Sequence, residues 1–136
     1  MHFARRRALL CLCALVVTFV VLRAYLYVSP NTDFNVGAYN IHHLYSGLVL
    51  IVLGGLPLAM FHGQSRFLDG AALVFGVGLS MALDEWVYLI ATDGSNASYL
   101  LPVSFWGGVI AIGVACLYAL GLVLMVRRRR QDDPRA

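Results

Sequence analysis

Five ionisable side chains interrupt otherwise apolar stretches of this sequence: Arg23, His42, His43, Asp84 and Glu85. An ionisable group within a lipid-spanning helix costs roughly 2.5 to 3.5 kcal/mol on insertion scales, so several together need partners, water or a function to offset the cost. Two imidazoles and two carboxylates are the donor types that bind Zn, Fe or Mn, with positions left for water or substrate. In that reading His42, His43, Asp84 and Glu85 are the ligands of a divalent metal. Asp84 or Glu85 doubles as the catalytic base for a metal-activated water beside a membrane lipid. Tyr39, Tyr45 and Tyr88 are candidate proton donors around the site. Two acids fall short of the four-carboxylate set of di-iron bundles, and no H-E-x-x-H or E-x-x-H motif occurs.

Two other readings use the same residues. Asp84 or Glu85 pairs with Arg23 while the histidines bond to tyrosines or loop carbonyls, and the cluster staples the helices of a non-catalytic scaffold or subunit. Alternatively the acids carry a proton or ion in a transporter, although the other half of the membrane layer offers only Thr18, Ser80 and glycines as a relay. Haem ligation is disfavoured, because His62 belongs to the loop at the opposite face from His42 and His43.

The elements that must position these groups follow from composition. With 136 residues, 60% apolar and 12% charged, and a mean hydropathy of +0.77, the chain has about half the charge an ordinary soluble domain needs. A hydrocarbon layer ~30 Å thick takes ~20 apolar helical residues. Four stretches qualify: about 8–28, 36 (or 41)–60, 70–91 and 99–126. The fold class predicted is an all-α, polytopic membrane protein, a four-transmembrane-helix bundle forming one domain over 1–136, with a disordered tail at 127–136. The connections, 29–33, 62–66 and 92–96, are too short to hold a soluble domain. Pro57 should end or kink the second span.

Arginine placement predicts the direction. Arg5, Arg6, Arg7, Arg66 and Arg127 to Arg130 fall on one side after four crossings, and cytoplasmic ends carry the basic excess, so both termini are expected in the cytoplasm of a cell-membrane protein. The first span is long and lacks a small-x-small site before Ser29, which favours an anchor over a cleaved signal. Eight of the ten arginines lie in the tails, there is no lysine and the net charge is +3, which excludes the folded basic face of a nucleic-acid binder. Cys11, Cys13 and Cys116 read as small apolar fillers rather than a zinc or redox motif. Tyr25, Tyr27, Trp86, Tyr88, Tyr99 and Trp106 read as an interfacial belt. Glycines in the later spans suit close helix packing within the bundle and, through Gly-rich faces, homo- or hetero-oligomers.

Depth and phase bear on whether the polar groups meet. If the second helix starts near Val36, His42 and His43 lie ~9 to 10 Å in, at the level of Asp84 and Glu85, ~10 to 12 Å in from Thr92. Arg23 falls in the same layer. His43, Gly47, Leu50 and Gly54 share one helical side; Leu73, Val77, Ser80, Asp84 and Tyr88 share another, with Glu85 at its flank. Adjacent residues diverge by 100°, so Asp84 and Glu85 cannot both aim at one atom without distortion.

The segments Ile41-His42-His43-Leu44-Tyr45-Ser46-Gly47 and Gly76-Val77-Gly78-Leu79-Ser80-Met81-Ala82-Leu83-Asp84-Glu85 resemble a pattern of uncharacterised small bacterial and archaeal multi-pass membrane proteins, I-H-H-x-x-x-G in one span and G-x-G-L-x-x-x-L-D-E in the next. The resemblance implies that His42, His43, Gly47, Asp84 and Glu85 belong to one constellation. It carries no reaction with it.

Overall fold

The structure, a computed structural model, describes residues 2–29, 35–36, 39–40 and 42–132, without the side chains of 2–4, 35–36, 39–40, 96, 126–127 and 129–132. The expectations for the side chains of His2 and Tyr39, for most of the 29–33 loop and for residues 133–136 fall outside that description. Among the described residues four helices are long and apolar enough to cross a membrane: α1 (His2–Val28), α2 (His43–Met60), α3 (Arg66–Ala91) and α5 (Pro102–Asp132). A single turn, α4 (Asn96–Tyr99), precedes α5, and two-residue strands β1 (Asn35–Val36) and β2 (Tyr39–Asn40) pair antiparallel ahead of α2. Apart from that short strand pair the protein is a helical, multi-pass membrane bundle. Its four crossings return the chain to the end at which it began, here called the terminal end.

The observed boundaries depart from the predicted ones where local chemistry overrides apolar content. The second span does not start at Val36: Asn35, Gly37 and Asn40 are poor helix formers, and α2 begins only at His43. His42 and His43 therefore sit at a helix end rather than two turns inside. Pro57 neither ends nor shortens α2, which runs on to Met60. The predicted stretch 99–126 is broken, because Pro102 lacks an N–H and disfavours helical geometry at Leu101; it serves instead as the first residue of α5. At the other end α5 continues through Arg127–Arg130 to Asp132, so 127–132 is helical and not a disordered tail. The third helix starts at Arg66, capped by Ser65, whose hydroxyl accepts from Phe67 N at 3.1 Å.

α3 is the central element. It packs along α2, α1 and α5, while α1 and α5 meet over a shorter stretch. Glycines allow the approach. A Cβ on Gly47 would stand 2.7 Å from Gly78 O, one on Gly78 2.6 Å from Gly47 O, and one on Gly54 2.5 Å from Phe75 N. The backbones of α2 and α3 therefore touch at two levels, as lipid-embedded helices do where small residues line the seam. Gly76 similarly abuts the carbonyl of Cys11, and Gly107 abuts Val87. Leu48, Val49, Val52, Leu53 and Leu56 on α2 remain exposed, as does much of α5, which suits contact with lipid tails.

Candidate functional site

The polar groups meet at the end of the bundle opposite the termini. Asp84, on the third turn from the end of α3, has no exposed surface, and Glu85 is 2% exposed. As the 100° step demands, the two carboxylates face different neighbours. Asp84 turns to α1, α4 and α5. Arg23 Nε donates to Asp84 Oδ1 at 2.7 Å, and Arg23 Nη2 lies 2.6 Å from the same oxygen. Asp84 Oδ2 accepts a short bond from the Tyr99 hydroxyl. The remaining guanidinium hydrogens reach Ser104 O at 3.1 Å, Ser104 Oγ at 3.3 Å and Tyr99 O at 3.3 Å. The guanidinium also lies 4.3 Å over the Tyr99 ring, a cation–π contact. Gly108 makes room: a Cβ there would meet Asp84 Oδ1 at 2.9 Å.

Glu85 turns instead to α2. Leu44 N donates to Glu85 Oε2 at 2.7 Å. The first residues of any helix leave backbone N–H groups without partners, and His42, in the capping position, makes no side-chain cap bond. Glu85 thus caps α2 from a neighbouring helix, its charge set against the positive end of the α2 dipole. Glu85 Oε1 lies 3.0 Å from His43 Nδ1 and 3.5 Å from His42 Nδ1. His43 Nε2 is 3.4 Å from Asp84 Oδ2, so this one ring bridges both acids. Only an imidazolium donates from both nitrogens.

The tyrosines divide differently from the sequence expectation. Tyr45 is 58% exposed and points away from the cluster. Tyr88 is buried, but its hydroxyl donates to Ser95 O at 3.1 Å and its ring packs edge-on against Tyr99 and near His42. The proton donor at the carboxylate is Tyr99, assigned from sequence to the interfacial belt and found only 6% exposed. Burial, and next the Asp84 carboxylate, push its phenol well above the ordinary tyrosine value. Tyr25, Tyr27, Trp86 and Trp106 are exposed, as the belt requires.

Sequence reasoning also missed Ser104, Gly108 and a second clasp. At the terminal end, Arg6 Nη2 lies 3.1 Å from Asp69 Oδ2 and Arg7 Nε 3.5 Å from Asp69 Oδ1, while Arg7 Nη2 donates to Gly63 O at 2.5 Å. The parallel pair α1 and α3 is therefore tied by arginine to aspartate at both ends. Its signal in the sequence is the near-equal spacing, Arg7 to Arg23 and Asp69 to Asp84.

Chemically, the four predicted ligands are brought together, but most of their oxygens are already engaged. A divalent cation at Asp84 would have to displace or adjoin the Arg23 guanidinium. Among the described residues no group of three or more His, Cys, Asp or Glu side chains is arranged to hold a metal ion. The three cysteines are free thiols. No family model, curated protein or solved structure matches this chain.

Proposed function

We propose that this chain is a compact scaffold or subunit of the cell membrane, in which the His and carboxylate cluster locks the helices together. The observation that carries the reading is the occupancy of Asp84: both oxygens are taken, by Arg23 from α1 and by Tyr99 and His43 from α4 and α2. A catalytic base or a proton carrier needs an oxygen free to accept a proton from outside the network. The arginines at the terminal end favour a cytoplasmic position for both termini. Membrane lipid is the surrounding partner, and the face of α5 at Gly113 and Gly121, where an added Cβ would meet nothing within 4 Å, is open to a second helix.

A divalent metal remains the second reading, favoured by the approach of two imidazole nitrogens to Glu85 Oε1 at 3.0 and 3.5 Å. Two imidazole nitrogens and a carboxylate oxygen are the donor types of zinc sites that keep a position open for water, and on this reading the side chains of His42, His43 and Glu85 must turn from their present arrangement to share one ion. Metal analysis of the detergent-purified protein, joined to thermal unfolding, separates the two. The scaffold reading expects no stoichiometric Zn, Fe or Mn and a large loss of stability in Asp84→Asn. Stoichiometric metal that disappears in His43→Ala and Glu85→Gln overturns it in favour of the metal centre. A pH-driven proton flux in vesicles, abolished by Asp84→Asn with the fold intact, would instead establish transport.

A further inference from the structure

At the terminal end the face of α1 between Arg5 and Cys13 carries a shallow groove of about 280 Å³ on the surface of the bundle, lined almost wholly by apolar atoms of Arg5, Arg6, Leu9, Leu10 and Cys13. The order of these residues along the helix is that of an amphiphile. Arg5, Leu9 and Cys13 fall on one stripe at four-residue spacing and Arg6 and Leu10 on the next, so two arginines stand at the terminal end of the groove and an apolar floor from Leu9 to Cys13 runs a further ~6 Å toward the middle of the span. The exposed Cys13 thiol, smaller than the leucines beside it, leaves the depression open.

The charge of Arg5 is uncompensated and that of Arg6 is shared with the clasp. Arg5 has no ion-pair partner among the described residues. Arg6 touches Asp69 with one nitrogen only, and its side chain is 61% exposed. Arg6 and Arg7 share the single carboxylate of Asp69 and Arg5 has none, which leaves a local excess of positive charge at the terminal end. A single-pass polybasic segment attracts acidic lipid without holding any one molecule. A cationic mouth continuous with an apolar floor, at the depth where phosphates meet acyl chains, holds both parts of a lipid at once.

We propose that this groove binds one acidic phospholipid, its phosphate between Arg5 and Arg6 and an acyl chain along Leu9, Leu10 and Cys13. The proposal is independent of the role given to the cluster at the other end.

The test uses the full chain in nanodiscs or detergent with phosphatidylglycerol and phosphatidylcholine as probes, and counts retained lipid by native mass spectrometry. One phosphatidylglycerol per chain is expected to be retained in preference to phosphatidylcholine. Arg5→Gln should lower that preference about fivefold, Arg5→Lys should restore most of it, and Cys13→Trp should abolish the retained lipid by filling the groove with the charges untouched. Replacing Arg127 to Arg130 by glutamine should leave the single retained lipid in place. If Arg5→Gln and Cys13→Trp retain it as the unaltered protein does, or if only the Arg127 to Arg130 variant loses it, the assignment is overturned. Neither Arg5 nor Cys13 makes a hydrogen bond or ion pair in the two arginine–aspartate clasps, so an unchanged unfolding temperature accompanies a real loss of binding.

Discussion

Asp84 carries the network at the scale of single residues. It has no contact with water, and its charge is balanced by Arg23, whose remaining donors are taken up by Ser104 and Tyr99. Removing one member of such a buried pair leaves the other charge without compensation, an effect worth about 3 to 5 kcal/mol, whereas replacing both with apolar groups of similar volume is often neutral. Asp84→Asn and Arg23→Met are each expected to lower unfolding stability by that amount, and Arg23→Met with Asp84→Leu to recover most of it, measured by denaturation in detergent. Tyr99→Phe removes one hydrogen bond to a charged acceptor and should cost about 1.5 to 3 kcal/mol by the same measurement. The meeting of His43, Asp84 and Glu85 was legible in the sequence, because charged residues in apolar runs must find one another. Tyr99 and Ser104 were not, since a tyrosine near a membrane surface and a serine in a helix are ordinary there. What sets them apart is three-dimensional: the break at Pro102 turns α4 back over the end of α3.

Glycine decides the element scale by what faces it. Gly54 lies against the backbone of Ala71 and Phe75, whereas Gly113 faces open space on α5. Gly54→Ala must force α2 away from α3 and should destabilise the bundle by about 1 to 3 kcal/mol. Gly113→Ala, by the helix propensities, should be neutral or stabilising by up to ~1 kcal/mol. Paired unfolding curves of the two variants check this, and equal effects would mean that the α2 and α3 backbones do not touch. The loop joining α3 to α4 has its own pH dependence. Asp93 Oδ1 accepts from Ser95 N at 3.0 Å and Ser95 Oγ at 2.8 Å, and these bonds hold its carboxyl below the usual aspartate range. A depressed folded value means that the contribution is complete above the ordinary value near 3.8 and is lost as pH falls through the lower folded one. Amide exchange at Ser95 should therefore quicken below about pH 4, and Asp93→Asn should remove that acid dependence. Helix existence was readable from apolar length; helix ends were not. At α2 they depend on Glu85, a cap contributed by a residue some forty positions away in the chain.

At the scale of the whole molecule, the arrangement is three helices about α3, clasped to α1 by arginine and aspartate at each end. Arg5 to Arg7, Arg66 and Arg127 to Arg130 lie at the terminal end, from which both termini are expected on the cytoplasmic side. In a variant lacking the three native cysteines, Ala97→Cys, at an exposed site between α3 and α5, should react with a membrane-impermeant thiol reagent in intact cells. A cysteine placed at either terminus should not react, and the reverse pattern would invert the topology. The sequence by itself determined the solvent: hydropathy and span length are additive along a chain, so four crossings and the segregation of charge to their ends need no knowledge of contacts. It also pointed to one end of the bundle for Arg23, the histidines and the acids, although the depth it gave the histidines rested on a helix start near Val36 that the structure moves to His43. Tertiary structure alone decided which carboxylate faces which helix, that Tyr99 completes the shell of Asp84, and that Glu85 caps α2. Those outcomes depend on the rotation and separation of packed helices, which are set by where glycine lets two backbones touch and are not a property of any one segment.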